Sequence, residues 1–264
     1  MKKPSPLLSW TLPVVSGVIF FGIWYAVKLG ANASDWLLPT PGQIFQAAWV
    51  ERMRLFAAAR TTAVGAVGGF VLATILGVSA ALLLSLSRAL RGSLYPWLLA
   101  LQMTPVIVLT PIIQLWIGSG TPGIVTVTCL ISFFPIVANT VQGLISADMN
   151  HVALFRMCNA SRTQELFLLR VPAALPNFLT GLRIAATLAP VGAIFGEYMV
   201  GNSSGGSGGL GFLVYSYNTQ IKIPALFATA LTSCALGFIF VAAVTGLNWL
   251  ALHKWHDSFE RNDH

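Results

Sequence analysis

The sequence predicts an all-α, polytopic membrane helix bundle: about six transmembrane helices and a short cytoplasmic helix pair. Three observations carry that prediction. Of 264 residues, 56% are hydrophobic and only 9% charged, with a mean hydropathy of +0.76, whereas soluble domains carry roughly 25% charged residues. The apolar residues fall into six runs of the length that a hydrocarbon core about 30 Å thick requires. Between the fourth and fifth runs lies a polar stretch with helix-capping signals. The chain reads as a single transmembrane domain over 1–264, with little length left for a soluble one.

The first span is placed at 7–27, after Lys2 and Lys3, with Trp10, Trp24 and Tyr25 as interfacial anchors. The connection that follows contains Pro39-Thr40-Pro41 and then a mixed stretch, 43–60, with apolar positions at helical spacing, expected on the membrane surface. The second span, 61–86, is rich in small residues (Gly65, Gly68, Gly69, Gly77) that let helices approach closely in lipid. The third, 95–117, contains Pro105 and Pro111; the fourth, 122–146, contains Pro135. Internal prolines mark bends and free carbonyls, which a bundle interior or a cavity tolerates. The fifth span is set at 174–200 and the sixth at 225–252, with the glycine- and serine-rich run 203–209 in the loop between them.

Alternate connections differ in basic residues. Lys2, Lys3, Arg88, Arg91, Arg156, Arg162, Arg170, Lys254 and Arg261 fall on one side; Lys28, Arg52, Arg54, Arg60 and Lys222 fall on the other. The richer side is cytoplasmic by the positive-inside tendency, so both termini are expected in the cytoplasm. The net charge of +7 is accordingly read as topology-setting, and no nucleic-acid partner is expected. Cys129, Cys158 and Cys234 are scattered without metal-ligand spacing, and no metal site is expected.

The polar stretch 147–171 reads as two short helices with a break between them. Ser161 followed by Gln164 is a capping box, so a helix should start there. Asn159 tolerates left-handed dihedrals and can end the preceding helix. Val152, Phe155, Leu166, Phe167 and Leu169 supply an apolar face with Arg156, Arg162 and Arg170 around it. Such a pair suits either a membrane-surface connector or a docking element for another protein.

The stretch from Asn159-Ala160-Ser161 to Val171-Pro172-Ala173-Ala174-Leu175-Pro176 resembles the EAA loop of binding-protein-dependent ABC importer permeases. Leu38-Pro39-Thr40-Pro41, Gly181-Leu182-Arg183-Ile184-Ala185, Gly196-Glu197 and Gly209-Leu210-Gly211 look like the nitrate/sulfonate/taurine branch. Leu154-Phe155-Arg156-Met157-Cys158 with Ala185-Ala186-Thr187-Leu188-Ala189-Pro190 looks most like permeases for pyrimidine precursors of thiamine. The family's Glu-Ala-Ala falls on Ala153-Leu154-Phe155 and its glycine on Asn159.

The resemblance implies a multi-pass permease of the bacterial inner membrane that works with ABC ATPase subunits, an extracytoplasmic substrate-binding protein and a second permease copy, most simply a homodimer. ATP and Mg would be held by the ATPase; this chain has no phosphate-binding GxxxxGK[ST] motif and is expected to bind no cofactor and to be no enzyme. The ATPase-coupling loop would comprise Phe155, Arg156, Met157, Asn159, Ala160, Ser161, Gln164, Glu165, Leu166, Phe167, Leu169 and Pro172. Substrates of this kind are small polar solutes: a pyrimidine-type thiamine precursor, with sulfonate, taurine or nitrate as the alternative.

Polar groups within spans are the other candidates. Gln102, Gln114, Asn139, Gln142, Arg183 and Glu197 could line a pathway; Arg183 and Glu197 are equally placed to rest at the inner and outer interfaces. An ion-coupled carrier would need ionisable partners at membrane depth. Arg183 and Glu197 are separated by about 21 Å of helical rise and cannot pair within one helix.

Overall fold

The computed structural model describes residues 6–30, 38–200 and 208–256, so the serine-rich centre of the loop at 203–207 and both termini lie outside the described residues. All regular structure among the described residues is helical. The order is α1 (Pro6–Gly30), α2 (Pro41–Val50), α3 (Arg52–Leu86), α4 (Arg88–Met103), α5 (Val106–Ile117), α6 (Thr121–Ile145), α7 (Met149–Met157), α8 (Arg162–Gln164), a π-helical segment (Glu165–Arg170), α9 (Val171–Val200), α10 (Leu210–Thr219) and α11 (Ile223–His256). Among the described residues, four helices are long and apolar enough to cross a bilayer: Arg52–Leu86, Thr121–Ile145, Arg162–Met199 and Ile223–Leu250. The pair α4 and α5 makes a fifth crossing if taken as one bent span. α1 covers the expected first run.

The core is the contact of α6 with α9 and α3. It is built on small residues. Along α3, Gly65, Gly69, Ala73, Gly77 and Ala81 recur every fourth residue and are all buried, which presents one flat face to α6. A Cβ at Gly69 would overlap the Thr128 side chain, and one at Gly77 would lie 2.9 Å from Ile136 Cγ2. From the other side, Gly181 of α9 approaches the Pro135 carbonyl, where a Cβ would stand 2.9 Å from the oxygen. Lipid gives no hydrophobic drive for helices to associate, so this close approach and its dispersion contacts hold the three together.

Four elements depart from expectation, each for a physical reason. The stretch 43–60 is not one surface helix. α2 starts at Thr40, whose side chain and that of Gln43 form a capping box with Pro41 at the first helical position. It ends at Glu51, and α3 then runs unbroken for 35 residues, about 52 Å. The expected third span is not continuous. It breaks between Met103 and Val106, and α4 and α5 meet at 98°, because Pro105 has no N–H and bars helical dihedrals at Thr104 (ψ 123°). Pro111 stays inside α5.

The coupling-loop helix is not separate from the fifth span. It runs through the π segment directly into α9. Pro172 cannot donate to the carbonyl four residues back, and the wider turn before it, with Val171 N–H bonded to Leu166 O, lets the chain continue past that defect. Finally, the loop before the last span contains α10, which the glycine-rich sequence around it hides.

α10 ends with Ile221 at φ 57°, closed by Lys222 N–H to Tyr217 O (2.9 Å) and Ile221 N–H to Asn218 O (3.1 Å). A β-branched residue in left-handed backbone costs roughly 1–2 kcal/mol. Ile221→Gly is therefore expected to raise stability by about 1 kcal/mol, read as a higher melting temperature of the detergent-purified chain.

At the C-terminal end of α1, Trp24 Nε1 donates to Pro39 O (3.2 Å) and Lys28 Nζ to Leu38 O (2.7 Å). The Leu-Pro-Thr-Pro motif thus anchors α1 and starts α2.

Candidate coupling loop and outer helix junction

The first site is the loop after α6. Asp148 caps α7 through Asn150 N–H (2.9 Å). Asn159, at φ 53°, closes that helix: its N–H bonds Arg156 O and the Ala160 N–H bonds Phe155 O, both at 3.0 Å. This is the left-handed C-terminal motif that usually uses glycine. Ser161 Oγ then accepts the Gln164 N–H (3.2 Å), and the Ser161 N–H bonds Gln164 Oε1 (2.8 Å). The capping box expected from sequence is present. Ser161→Ala removes one of its two bonds and is expected to cost about 1 kcal/mol of local helix stability, detected as faster amide exchange at 161–165.

Glu165 and Arg170 are five residues apart, and the π turn sets them one above the other. Arg170 Nε lies 2.8 Å from Glu165 Oε1, and its Nη1 donates to Leu144 O at 3.2 Å. The guanidinium therefore joins the π-helical segment to an orphan carbonyl in the last turn of α6. Arg170 was not among the candidate residues. Its spacing from Glu165 signals a pair only once the turn is known to be π.

The apolar side chains divide sharply. Leu166 is buried at 7% exposure against Ala81, Leu84, Val137, Val141, Leu144 and Ala174, so it is a core residue of this chain and not part of an outward knob. Phe167 (59% exposed) and Met157 (81%) point outward. Phe155, Ala160, Glu165, Leu169 and Pro172 are half-buried; Arg156, Asn159, Ser161 and Gln164 are exposed.

The second site joins two motifs that are distant in sequence. Glu197, in the last turn of α9, is buried at 2% exposure and does not lie on the surface at the outer interface. Its Oε2 accepts the Gly211 N–H (2.9 Å) and contacts Thr62 Oγ1 (2.8 Å). Thr62 Oγ1 in turn accepts the Leu210 N–H (2.8 Å). Those are the first two amides of α10, whose own N-cap, Gly209, has no side chain. Glu197 and Thr62 replace the missing cap from neighbouring helices, with the carboxyl at the positive end of α10. Glycine is required for this closeness. A Cβ at Gly209 would overlap the Glu197 carboxyl, and one at Gly211 the Ile194 carbonyl. Tyr217 anchors the far end of α10: it is fully buried, with the Arg54 guanidinium carbon 5.6 Å from its ring centroid. Burial pushes its hydroxyl above the ordinary value, and Glu51 adds to the effect.

The remaining pathway candidates are not brought together. Gln102, Gln142 and Arg183 are exposed. Gln114 Nε2 donates to Ser119 Oγ (3.0 Å), and Asn139 Nδ2 to Pro135 O (2.8 Å) beside the bend-forming proline. No cluster of His, Cys, Asp or Glu able to hold a metal occurs among the described residues.

Comparison with known proteins agrees with this architecture. The family described as binding-protein-dependent transport system inner membrane component matches residues 73–253. The chain is 36% identical over 241 residues to the formylaminopyrimidine transport permease protein ThiX of Halalkalibacterium halodurans, covering 91% of this chain and 94% of that one. It is 31% identical over 249 residues to the riboflavin transport system permease protein RibX of Chloroflexus aurantiacus, covering 94% and 90%. To the putative aliphatic sulfonates transport permease protein SsuC of Bacillus subtilis it is 26% identical over 262 residues, covering 98% and 93%. With most of its length matched by the family and by full-length permeases, the chain belongs to the inner membrane components of binding-protein-dependent transport systems: it is an ABC transporter permease subunit for small solutes.

Proposed function

We propose that this permease is the membrane subunit of an ATP-driven importer in which two copies of the chain, two separate ATPase subunits and an extracytoplasmic binding protein act together. ATP and Mg belong to the ATPase. The observation that carries this reading is the coupling loop: a doubly capped turn, pinned to α6 through Arg170, that holds Met157 outward at the end of α7 and Phe167 outward on a helix continuous with α9. A stiff helix that presents apolar side chains can move α9 when a partner moves it, since packed contacts switch between discrete arrangements. The solute is a small polar molecule. Similarity to ThiX favours a formylaminopyrimidine, the pyrimidine class of thiamine precursor; similarity to SsuC supports sulfonates, with taurine and nitrate, as the alternative.

The test is reconstitution in liposomes. Uptake is expected only with ATPase, binding protein and ATP all present. Saturable, ATP-independent uptake by the purified chain alone would replace this reading with a carrier. The proposed orientation has both termini and residues 147–171 in the cytoplasm. In a background with Cys158 and Cys234 changed to serine, a membrane-impermeant thiol reagent added outside cells should label a cysteine at Asn218 but not one at His151. The reverse pattern overturns the orientation.

A further inference from the structure

The outer end of α3 carries three arginines, and two of them are engaged. Arg52 donates to Trp49 O (2.8 Å) with its guanidinium carbon 4.8 Å from the Trp49 ring centroid, and Arg54 lies over Tyr217. Arg60 has no hydrogen-bond or ion-pair partner among the described residues. It lines an open groove of about 450 Å³ together with Met53, Phe56, Thr61, Val64 and Thr121, the Met53, Phe56 and Val64 side chains being largely exposed.

The groove is closed at one place by close helix packing. Its floor is Gly65 against Ile124, where a Cβ would stand 2.9 Å from Ile124 Cγ2. Thr61 Oγ1 donates to Ala57 O (3.2 Å), which leaves the hydroxyl oxygen able to accept. One residue further along, Thr62 is locked into the Glu197 junction, so this part of α3 is held in place. An open guanidinium fork, a hydroxyl acceptor and apolar walls, in a volume within the usual range for small-molecule sites, are what a pocket for a small polar solute requires.

We propose that this groove is a solute-binding site at the outer end of the pathway, in which Arg60 donates paired N–H bonds to two adjacent acceptors on the solute. The amide-and-ring edge of a formylaminopyrimidine and the oxygens of a sulfonate share that chemistry. The assignment rests on the importer reading above.

The experiment uses the complete transporter in proteoliposomes, with formylaminopyrimidine and taurine as the probes. Arg60→Gln is expected to raise the uptake KM about tenfold or more, the scale of a lost charged hydrogen bond, while ATP hydrolysis stimulated by loaded binding protein stays near wild type. Arg60→Lys keeps the charge without the fork and should fall between. Val64→Trp fills the groove and should reproduce the loss without touching the arginine. The probe whose KM shifts identifies the solute class. A wild-type KM in both Arg60→Gln and Val64→Trp overturns the site. Occupancy is read separately in the serine background: a cysteine at Val64 should react more slowly with an impermeant thiol reagent when a probe saturates the site. Failure of both probes to slow it also overturns the proposal. ATP-independent uptake by wild type would remove the importer reading but leave this occupancy result standing.

Discussion

Gly211→Ala is expected to eliminate uptake. The new Cβ would overlap the Ile194 carbonyl, a backbone atom near the C-terminal end of α9 that no rotamer change can move aside. α10 would have to lift, breaking the Gly211 N–H bond to Glu197 Oε2 and the Leu210 N–H bond to Thr62 Oγ1. Overpacking typically costs about 1–3 kcal/mol, and each buried polar group left unpaired adds about 1–3 kcal/mol. Glu197→Ala tests the same junction by subtraction. It strands the Gly211 amide without adding bulk, so it should destabilise less than Gly211→Ala. Glu197→Gln keeps an acceptor oxygen for that amide and should be milder still. The measurement is thermal unfolding of the purified permease alongside uptake by the assembled transporter. Wild-type stability in Gly211→Ala would mean that α10 does not rest on α9 as described.

Reading this junction from sequence was limited by how each residue announces itself. Gly196-Glu197 and Gly209-Leu210-Gly211 were both visible as motifs, but nothing in their spacing says that one caps the other. Tertiary capping pairs a helix start with a side chain from a different helix, and Gly209 in the N-cap position leaves no local trace. The coupling loop was more legible because its chemistry is local. Ser161 with Gln164 and the left-handed Asn159 are short-range bonds, and both were anticipated. What local reasoning missed there was direction. Leu166, Phe167 and Leu169 look alike as an apolar group in the sequence. In the structure Leu166 faces the α6 core and its neighbour Phe167 stays outside. The long spans were legible from hydropathy, and the stripe of small residues in α3 marked its packing face. The 98° bend between α4 and α5 was visible only as two prolines. Pro105 breaks the helix while Pro111, six residues later, stays within one; neighbouring helices decide which.

That difference between Leu166 and Phe167 yields the second large expected effect. Leu166→Ala removes a side chain buried in a cluster shared with six other core residues of this chain and should destabilise the isolated permease by about 2–5 kcal/mol. Phe167→Ala truncates a side chain that is 59% exposed, so the isolated permease should melt as wild type does. Its cost appears only when the ATPase is present. An aromatic anchor at the centre of a protein interface is worth about 2 kcal/mol or more, which corresponds to roughly a thirtyfold loss of affinity. Phe167→Ala is therefore expected to weaken co-purification of the ATPase and to abolish its stimulation by loaded binding protein, with Met157→Ala acting in the same direction. Two alternatives make opposite forecasts. If the exposed side chains merely rest on lipid, Phe167→Ala leaves both assembly and stimulated hydrolysis at wild-type levels. If the loop couples through charge, Arg162→Ala should be the severe variant and Phe167→Ala the silent one. Melting temperature, co-purification and stimulated hydrolysis measured on Leu166→Ala, Phe167→Ala and Arg162→Ala separate the three, because only an apolar coupling contact leaves Phe167→Ala stable alone and uncoupled in the complex.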